Sequence, residues 1–169
     1  MDHSILVVDD HKIIRDMLEN SLSRESYTVH SADSAKEALK ILSQKPIDVV
    51  ISDEVMPGMT GTQFLAVVRK EYPDTIRIIL TGHASLESAM RAINEGEIYR
   101  FLTKPCNLVD LSVTIRQALE QKYLKNENIR LAKIVKQQSF SLGEIEKKYP
   151  GITKVKRASG GAIIIDDNE

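Results

Sequence analysis

Five polar residues of the sequence stand where short apolar segments end. Asp9 and Asp10 follow one such segment, Asp53 follows a second, Thr81 closes a third and Lys104 comes just after a fourth. Carboxylates that share a cleft repel one another, so they need a cation beside them. A carboxylate nucleophile, an oxygen-bound Mg²⁺ ion and a lysine that contacts phosphoryl oxygens together suit phosphoryl transfer through an acyl phosphate.

Apolar segments of two kinds alternate along the first 120 residues. Short β-branched runs bounded by turn residues indicate strands, and apolar residues at three- and four-residue spacing indicate helices. Ser34, with Glu37 three residues later, predicts a capping box for the second helix. The predicted strands cover 4–9, 27–31, 49–53, 77–81 and 98–103, and the helices cover 11–24, 35–42, 62–72, 85–94 and a segment that begins at 107.

Strands that alternate with helices five times predict an α/β fold, a (βα)5 doubly wound parallel sheet. The unbroken apolar run at 49–51 suits a central strand with helices on both faces. In such sheets, ligands and chemistry collect at the carboxyl ends of the strands. The fold is therefore expected to bring the three carboxylates, Thr81 and Lys104 to one edge.

The motifs around these residues resemble those of the receiver domain of bacterial two-component response regulators. The resemblance covers about residues 1–120 and implies the flavodoxin-like receiver fold. The matching motifs are Val8-Asp9-Asp10, the loop from Asp53 to Gly61 (Asp-Glu-Val-Met-Pro-Gly-Met-Thr-Gly), Leu80-Thr81-Gly82 and Phe101-Leu-Thr-Lys104-Pro105.

The resemblance implies that Asp53 is the phosphoacceptor of a phosphoprotein. It also implies a Mg²⁺ site beside Asp53. Asp10 would bind the ion directly and Asp9 mainly through water. Asp53 and the backbone carbonyl of Val55 would be the other protein ligands.

Three further residues take roles from the same resemblance. Lys104 is expected to bind the phosphoryl group, and the peptide bond that joins it to Pro105 is expected to be cis. Thr81 and Phe101 resemble the switch pair, in which the aromatic ring fills the space that the threonine vacates after phosphorylation.

Composition limits the remaining classes of function. The chain has 169 residues, a formal net charge of −1 and one cysteine, Cys106. A single cysteine excludes a disulfide within the chain and indicates a reducing compartment, so we expect a soluble, cytoplasmic protein. No apolar run approaches the roughly 18 residues of a membrane span. The balanced charge gives no support for direct nucleic-acid binding, and we expect neither nucleic acid nor membrane as a partner.

After the receiver domain at 1–120, the sequence predicts a helical extension at 121–141 and a tail at 142–169. A weak heptad pattern leaves two interpretations open, a short coiled coil that forms a homodimer and a single amphipathic helix on its own domain. In the tail, alternation at 153–157 and an apolar run at 162–165 predict a β-hairpin that docks on another surface. The heptad residues are Leu124, Asn128, Leu131, Val135, Gln138 and Leu142.

Three functions are compatible with these observations. The first is a response regulator, not otherwise an enzyme, that accepts a phosphoryl group on Asp53 from a histidine kinase or phosphotransfer protein. Phosphorylation would switch a protein-interaction or dimerisation surface. The second is the N-terminal receiver part of a longer regulator with a DNA-binding or cyclic-dinucleotide phosphodiesterase output. The third, an acyl-phosphate hydrolase, needs a second acid two residues after the nucleophile, where this chain has Val55.

Overall fold

Residues 3–82 and 98–150 are described in the computed structural model of the chain. The strands in these ranges are β1 (Ser4–Val8), β2 (Thr28–Ala32), β3 (Val49–Asp53), β4 (Ile76–Thr81) and β5 (Arg100–Thr103). The helices are α1 (Lys12–Ser23), α2 (Ala35–Gln44), α3 (Gly61–Glu71) and α4 (Leu108–Lys148). The predicted helix at 85–94 and the predicted hairpin in the tail lie outside the described residues.

The strands form one parallel sheet in the order β2-β1-β3-β4-β5, which confirms the predicted fold class. From β1 the chain moves to one side to form β2, and later returns to the other side to form β3. The crevice at such a reversal of strand order is where ligands bind in open parallel sheets. Asp9 and Asp10 follow β1 and Asp53 ends β3, so the acids flank this crevice.

Side chains of the sheet alternate between two buried layers, because successive residues of a strand point to opposite faces. Leu6 and Val8 of β1 belong to the layer that α2 and α3 cover, and Ile5 and Val7 belong to the layer that α1 and the start of α4 cover. Burial of each large apolar side chain contributes about 1.5–3 kcal/mol. The helical residues buried in these layers include Ala38, Leu42, Phe64, Leu65 and Val68 in the first, and Leu18, Leu22, Leu111, Ile115 and Leu119 in the second.

The caps of two helices differ from the prediction. Ser34 accepts a hydrogen bond from the backbone N–H of Glu37 at 3.4 Å, but the Glu37 carboxylate accepts from the N–H of Asp33 and not of Ser34. The predicted capping box thus has only one of its two bonds. A complete box, which the sequence analysis missed, opens α3, where Thr60 and Gln63 each accept a hydrogen bond from the other's backbone N–H.

Helix α4 is a continuous helix of 41 residues. It reaches Lys148, so the predicted boundary between the helical extension and a tail from residue 142 is too early. The helix ends at Tyr149-Pro150, because a residue before proline is disfavoured in the α conformation. The chain divides into two compact units, 1–122 and 123–169. No helix among the described residues is long and apolar enough to cross a bilayer.

Asp48 links three elements of the first unit at the edge of the sheet opposite the crevice. Its carboxylate accepts hydrogen bonds from the N–H of Ser4 at 3.2 Å and from Lys122 Nζ at 2.8 Å, and it lies 3.3 Å from His3 Nδ1. Burial alone would raise the pKa of Asp48, but the bonds from Lys122 and Ser4 outweigh burial and lower the pKa. The carboxylate therefore favours the folded state while it is ionised.

Replacement of this carboxylate, Asp48→Asn, should lower the free energy of unfolding at neutral pH by on the order of 1 kcal/mol. The folded pKa lies below the unfolded value, so the difference between wild type and variant is complete above pH about 4 and vanishes as pH falls through the folded pKa. Urea unfolding between pH 7 and pH 3 measures it. Asp16→Asn, which breaks an exposed pair with Lys12, is the control and should change little at any pH. A difference for Asp48→Asn that does not shrink in acid would contradict this account.

Candidate functional site

Two carboxylates from neighbouring strands share one ammonium at the crevice. Asp53 ends β3 and is 5% exposed, and Asp9 follows β1 and is 1% exposed. Lys104 Nζ lies 2.7 Å from Asp9 Oδ2 and 2.9 Å from Asp53 Oδ1. Lys104 is held at the end of β5, where its N–H donates to the Thr81 carbonyl at 2.8 Å and its peptide bond to Pro105 is cis. The structure thus brings three predicted site residues into direct contact.

The charge state of Lys104 follows from these contacts. Burial alone would lower the pKa of its ammonium, but the hydrogen bonds to Asp9 and Asp53 outweigh burial and raise the pKa. Lys104 is therefore cationic at physiological pH. One ammonium does not balance the three carboxylates of Asp9, Asp53 and the adjacent Asp10, so a further cation in the crevice would reduce their repulsion.

The donor set of the crevice fits a divalent metal ion. Asp9, Asp10, His11 and Asp53 each offer one ligand atom, and these atoms lie within 4.8 Å of one another. Asp10 Oδ1 is buried and has no hydrogen-bond partner in the described part of the chain. An unsatisfied buried acceptor costs about 1–3 kcal/mol, which a bound cation would recover. Carboxylate oxygens are the ligands that Mg²⁺ prefers.

The other predicted site residues lie on the adjoining strands and loop. Thr81 is buried at the end of β4, one residue beyond the position that pairs with Asp53. Phe101 is half-buried in β5 opposite Ile79, and it packs against the layer that α2 and α3 cover. Val55 lies in the loop after β3 with its side chain exposed. The proposed switch residues are thus on neighbouring strands.

The sequence analysis missed two residues that contact the acidic pair. Arg15 of α1 donates from Nη1 to the backbone carbonyl of Asp9 at 2.6 Å. His11 Nδ1 lies 2.8 Å from Asp10 Oδ1 and 3.3 Å from Asp9 Oδ1. The available signal was the position of His11 directly after Asp9-Asp10, which the helical pattern of the following residues obscured.

Gly61, the first residue of α3, packs against the loop that carries Asp53. Its N–H donates to the Glu54 carbonyl at 3.0 Å. A Cβ atom at this position would lie 2.9 Å from Glu54 Cα and closer still to the Asp53 carbonyl oxygen. From sequence, Gly61 was only the last residue of a motif, whereas the structure requires a glycine there for the close approach of two backbone segments.

Several known proteins are similar to this chain. A family model described as "Response regulator receiver domain" matches residues 5–116. The hydrogenase transcriptional regulatory protein HoxA of Cupriavidus necator is 37% identical over 128 residues, which are 76% of this chain and 26% of HoxA. An NtrX-like response regulator of Rickettsia felis is 33% identical over 165 residues, which are 95% of this chain and 34% of that protein. The chain therefore spans about a third or less of the length of these curated relatives.

Solved structures of receiver domains are also similar to this chain. The signal receiver domain of an HD-domain-containing protein from Pseudomonas fluorescens superposes with a TM-score of 0.69 at 42% identity. The match covers 73% of this chain and 98% of that domain.

The close approach at Gly61 generates a stability prediction. Gly61→Ala should lower the free energy of unfolding by about 1–3 kcal/mol, because the loop after Asp53 must move to admit the methyl group. Urea unfolding of Gly61→Ala, of a control variant and of the wild type measures the change in the free energy of unfolding. Gly82→Ala is the control, since a Cβ there meets no atom of the described residues within 4 Å, and it should change stability by less than about 0.5 kcal/mol. Equal effects of the two substitutions would refute the steric explanation.

Proposed function

The chain belongs to the response regulator receiver domain family, and we propose that it accepts a phosphoryl group on Asp53 from a histidine kinase or a phosphotransfer protein. The contact of Lys104 with both Asp9 and Asp53 carries this proposal. It places a fixed cation where the phosphoryl oxygens of an Asp53 phosphate would develop negative charge. Such preorganised charge is a main source of catalysis in phosphoryl transfer.

In the proposed reaction, the Asp53 oxygen that Lys104 does not contact, Oδ2, attacks the phosphorus of the donor phosphohistidine. The new P–O bond forms as the P–N bond breaks, and the donor imidazole, protonated on its other ring nitrogen, leaves with the bonding electron pair as neutral imidazole. Lys104 keeps its proton throughout and compensates charge on the phosphoryl oxygens. The products are an acyl phosphate on Asp53 and a free histidine on the donor.

We propose Asp10 and Asp53, with the carbonyl of Val55 and with Asp9 through water, as the residues that hold Mg²⁺. When bound, Mg²⁺ supplies positive charge that reduces repulsion between the carboxylates and the incoming phosphoryl oxygens. The unsatisfied Oδ1 of Asp10 supports this assignment.

The response to phosphorylation is assigned to Thr81 and Phe101. The phosphoryl group adds about −1.5 to −2 charges at neutral pH. The Thr81 hydroxyl would move to donate to a phosphoryl oxygen, and the Phe101 ring, already half-buried, would fill the vacated space. The exposed surface of β4 and β5 would change as a result. We propose that the chain catalyses only this phosphotransfer and the hydrolysis of the resulting Asp53 phosphate. We also propose a cytoplasmic location, which accords with the single cysteine.

The output of the switch is a separate part of the proposal. HoxA is named a transcriptional regulatory protein, and it is much longer than this chain. A second candidate function is therefore the receiver part of a longer regulator with a DNA-binding or phosphodiesterase output. The gene sequence beyond the codon for Glu169 distinguishes the two candidates.

Homodimerisation is the output that the second unit supports. In a heptad frame with Leu124 at d, the a and d positions alternate through residue 145, and their apolar side chains are exposed. Val at a positions with Leu at d positions favours a parallel coiled coil of two helices. Asn128 at an a position would face Asn128 of a second copy, so both amides are satisfied in register. We call the exposed apolar residues at these a and d positions the seam; they are Leu124 (54%), Leu131 (49%), Val135 (60%), Leu142 (55%) and Ile145 (44%).

The phosphoacceptor assignment predicts the labelling of single variants. With radiolabelled acetyl phosphate and Mg²⁺, Asp53→Asn should incorporate no label above background, since the amide cannot form the acyl phosphate. Label on the wild type should be released by hydroxylamine. Asp33→Asn is the matched control, because Asp33 is an exposed acid that follows β2, another strand of the same sheet. Wild-type labelling of Asp53→Asn would move the acceptor to another residue.

The proposed homodimer predicts how substitutions in the seam change the molecular mass of the chain in solution. Leu131→Lys removes two leucines from the dimer, which should weaken association by at least about 3 kcal/mol, or more than about a hundredfold in Kd. Sedimentation equilibrium, with and without the phosphate mimic beryllofluoride, measures the mass. Phe140→Lys is the control, since Phe140 is 68% exposed but lies outside the seam, and it should stay dimeric. A wild-type chain that is monomeric in both conditions would remove dimerisation from the proposed output.

A further inference from the structure

His11 lies against the acidic pair in a way that its place at the start of α1 does not require. Its backbone N–H donates to Asp9 Oδ1 at 2.9 Å, which fixes the residue beside the crevice. Its side chain makes no capping hydrogen bond to the helix. The ring instead turns toward the carboxylates, with Nδ1 2.8 Å from Asp10 Oδ1 and 3.3 Å from Asp9 Oδ1.

The contact between His11 Nδ1 and Asp10 Oδ1 is an ion pair when the imidazole is protonated, but it does not have the geometry of a hydrogen bond. Asp10 Oδ1 has no hydrogen-bond partner among the described residues, so the geometry of the pair is unsuited to one. Neighbouring ligands of a six-coordinate ion with bonds of about 2.1 Å lie about 3 Å apart. The separations of His11 Nδ1 from Asp10 and Asp9 are close to this value. His11 Nδ1 and Asp10 Oδ1 are thus spaced as adjacent ligands of one ion.

We propose that His11 Nδ1 is a ligand of the divalent ion in this site and that it shifts the preference of the site from Mg²⁺ toward first-row transition ions. The inference rests on the proposal that Asp9, Asp10 and Asp53 hold a divalent ion. Carboxylate oxygens suit Mg²⁺, whereas imidazole nitrogen suits later transition ions such as Ni²⁺ and Zn²⁺. In a site that combines carboxylate oxygens with one imidazole nitrogen, that nitrogen decides the preference between Mg²⁺ and the transition ions. His11 therefore determines which cation accompanies phosphorylation.

An imidazole that acted only as a counter-charge would have a different consequence. It would compete with every divalent ion to a similar extent, so its removal would strengthen the binding of Mg²⁺ and Ni²⁺ alike. A ligand affects the ions selectively. The ratio of the two affinities, and not either affinity alone, separates these roles.

Isothermal titration calorimetry of the full, unphosphorylated chain with MgCl₂ and with NiCl₂ measures the ratio of the two affinities. Even outer-shell partners of a metal ligand change affinity by about 10–100-fold, so loss of a direct ligand in His11→Ala should weaken Ni²⁺ binding by at least about tenfold. Mg²⁺ affinity should change by less than about threefold, which also shows that the variant is folded. His30→Ala, on β2 outside the acidic cluster, and His83→Ala, which removes the histidine two residues after Thr81 in sequence, are the controls and should keep the wild-type ratio.

A spectroscopic readout tests the bond itself. Electron spin echo modulation of Mn²⁺ bound to the wild type should show coupling to a directly bound imidazole nitrogen, and His11→Ala should lose it. Two results would overturn the inference: a ratio of Ni²⁺ to Mg²⁺ affinity that is unchanged in His11→Ala, or a nitrogen coupling that persists in that variant. In either case continued Mg²⁺ binding would show that the proposed metal site itself stands. If the wild type bound no Mg²⁺, the proposed metal site itself would fail. The two failures are therefore distinguishable.

Discussion

The ammonium of Lys104 between Asp9 and Asp53 is the interaction on which the site depends. The three residues come from the ends of β1, β3 and β5, so the contact forms only when the parallel sheet is complete. Two almost fully buried carboxylates in one crevice are unfavourable without a cation, and removal of one partner of a buried ion pair commonly costs about 3–5 kcal/mol. The same charge thus serves both the folded state and the proposed phosphotransfer to Asp53.

This double use of Lys104 gives a physical origin for the proposed switch. In the unphosphorylated state its ammonium contacts two carboxylates, and in the proposed phosphorylated state the phosphoryl oxygens compete for it. Phosphorylation would then change the balance of contacts at the ends of three strands at once. A ligand shifts a two-state equilibrium only by its differential affinity for the two states. Lys104, which contacts the reacting carboxylate directly, is the residue through which that difference would arise.

The parts of the structure that the sequence predicts are those set by local pattern. Apolar runs and their spacing predict the parallel strands and the meeting of Asp9, Asp53 and Lys104, because strand ends in such a sheet share one edge. The close approach at Gly61 depends on the distance between two backbone segments, and the contact of the His11 ring with Asp10 depends on the orientation of one side chain. The spacing of apolar residues specifies neither of these.

The end of α4 shows a related limit of sequence patterns. Ser139, Ser141 and Gly143 are weak helix formers, yet α4 continues through all three of them. Helix propagation is far easier than nucleation, so a helix that is already formed passes through such residues until a proline stops it.

The position of the seam on α4 constrains what the second unit can do. An isolated helix is only marginally stable in water, and most helical stability in proteins comes from packing of an apolar face. Between residues 123 and 148 the described side chains are exposed with two half-buried exceptions, Glu127 and Glu146, so that stability has no source within the described part of this unit. A second copy aligned in register would bury the Leu124, Leu131 and Val135 positions and pair the polar Asn128 with itself. The first turns of α4 are different, because Leu111 and Ile115 are buried in the layer that α1 also covers and need no second copy.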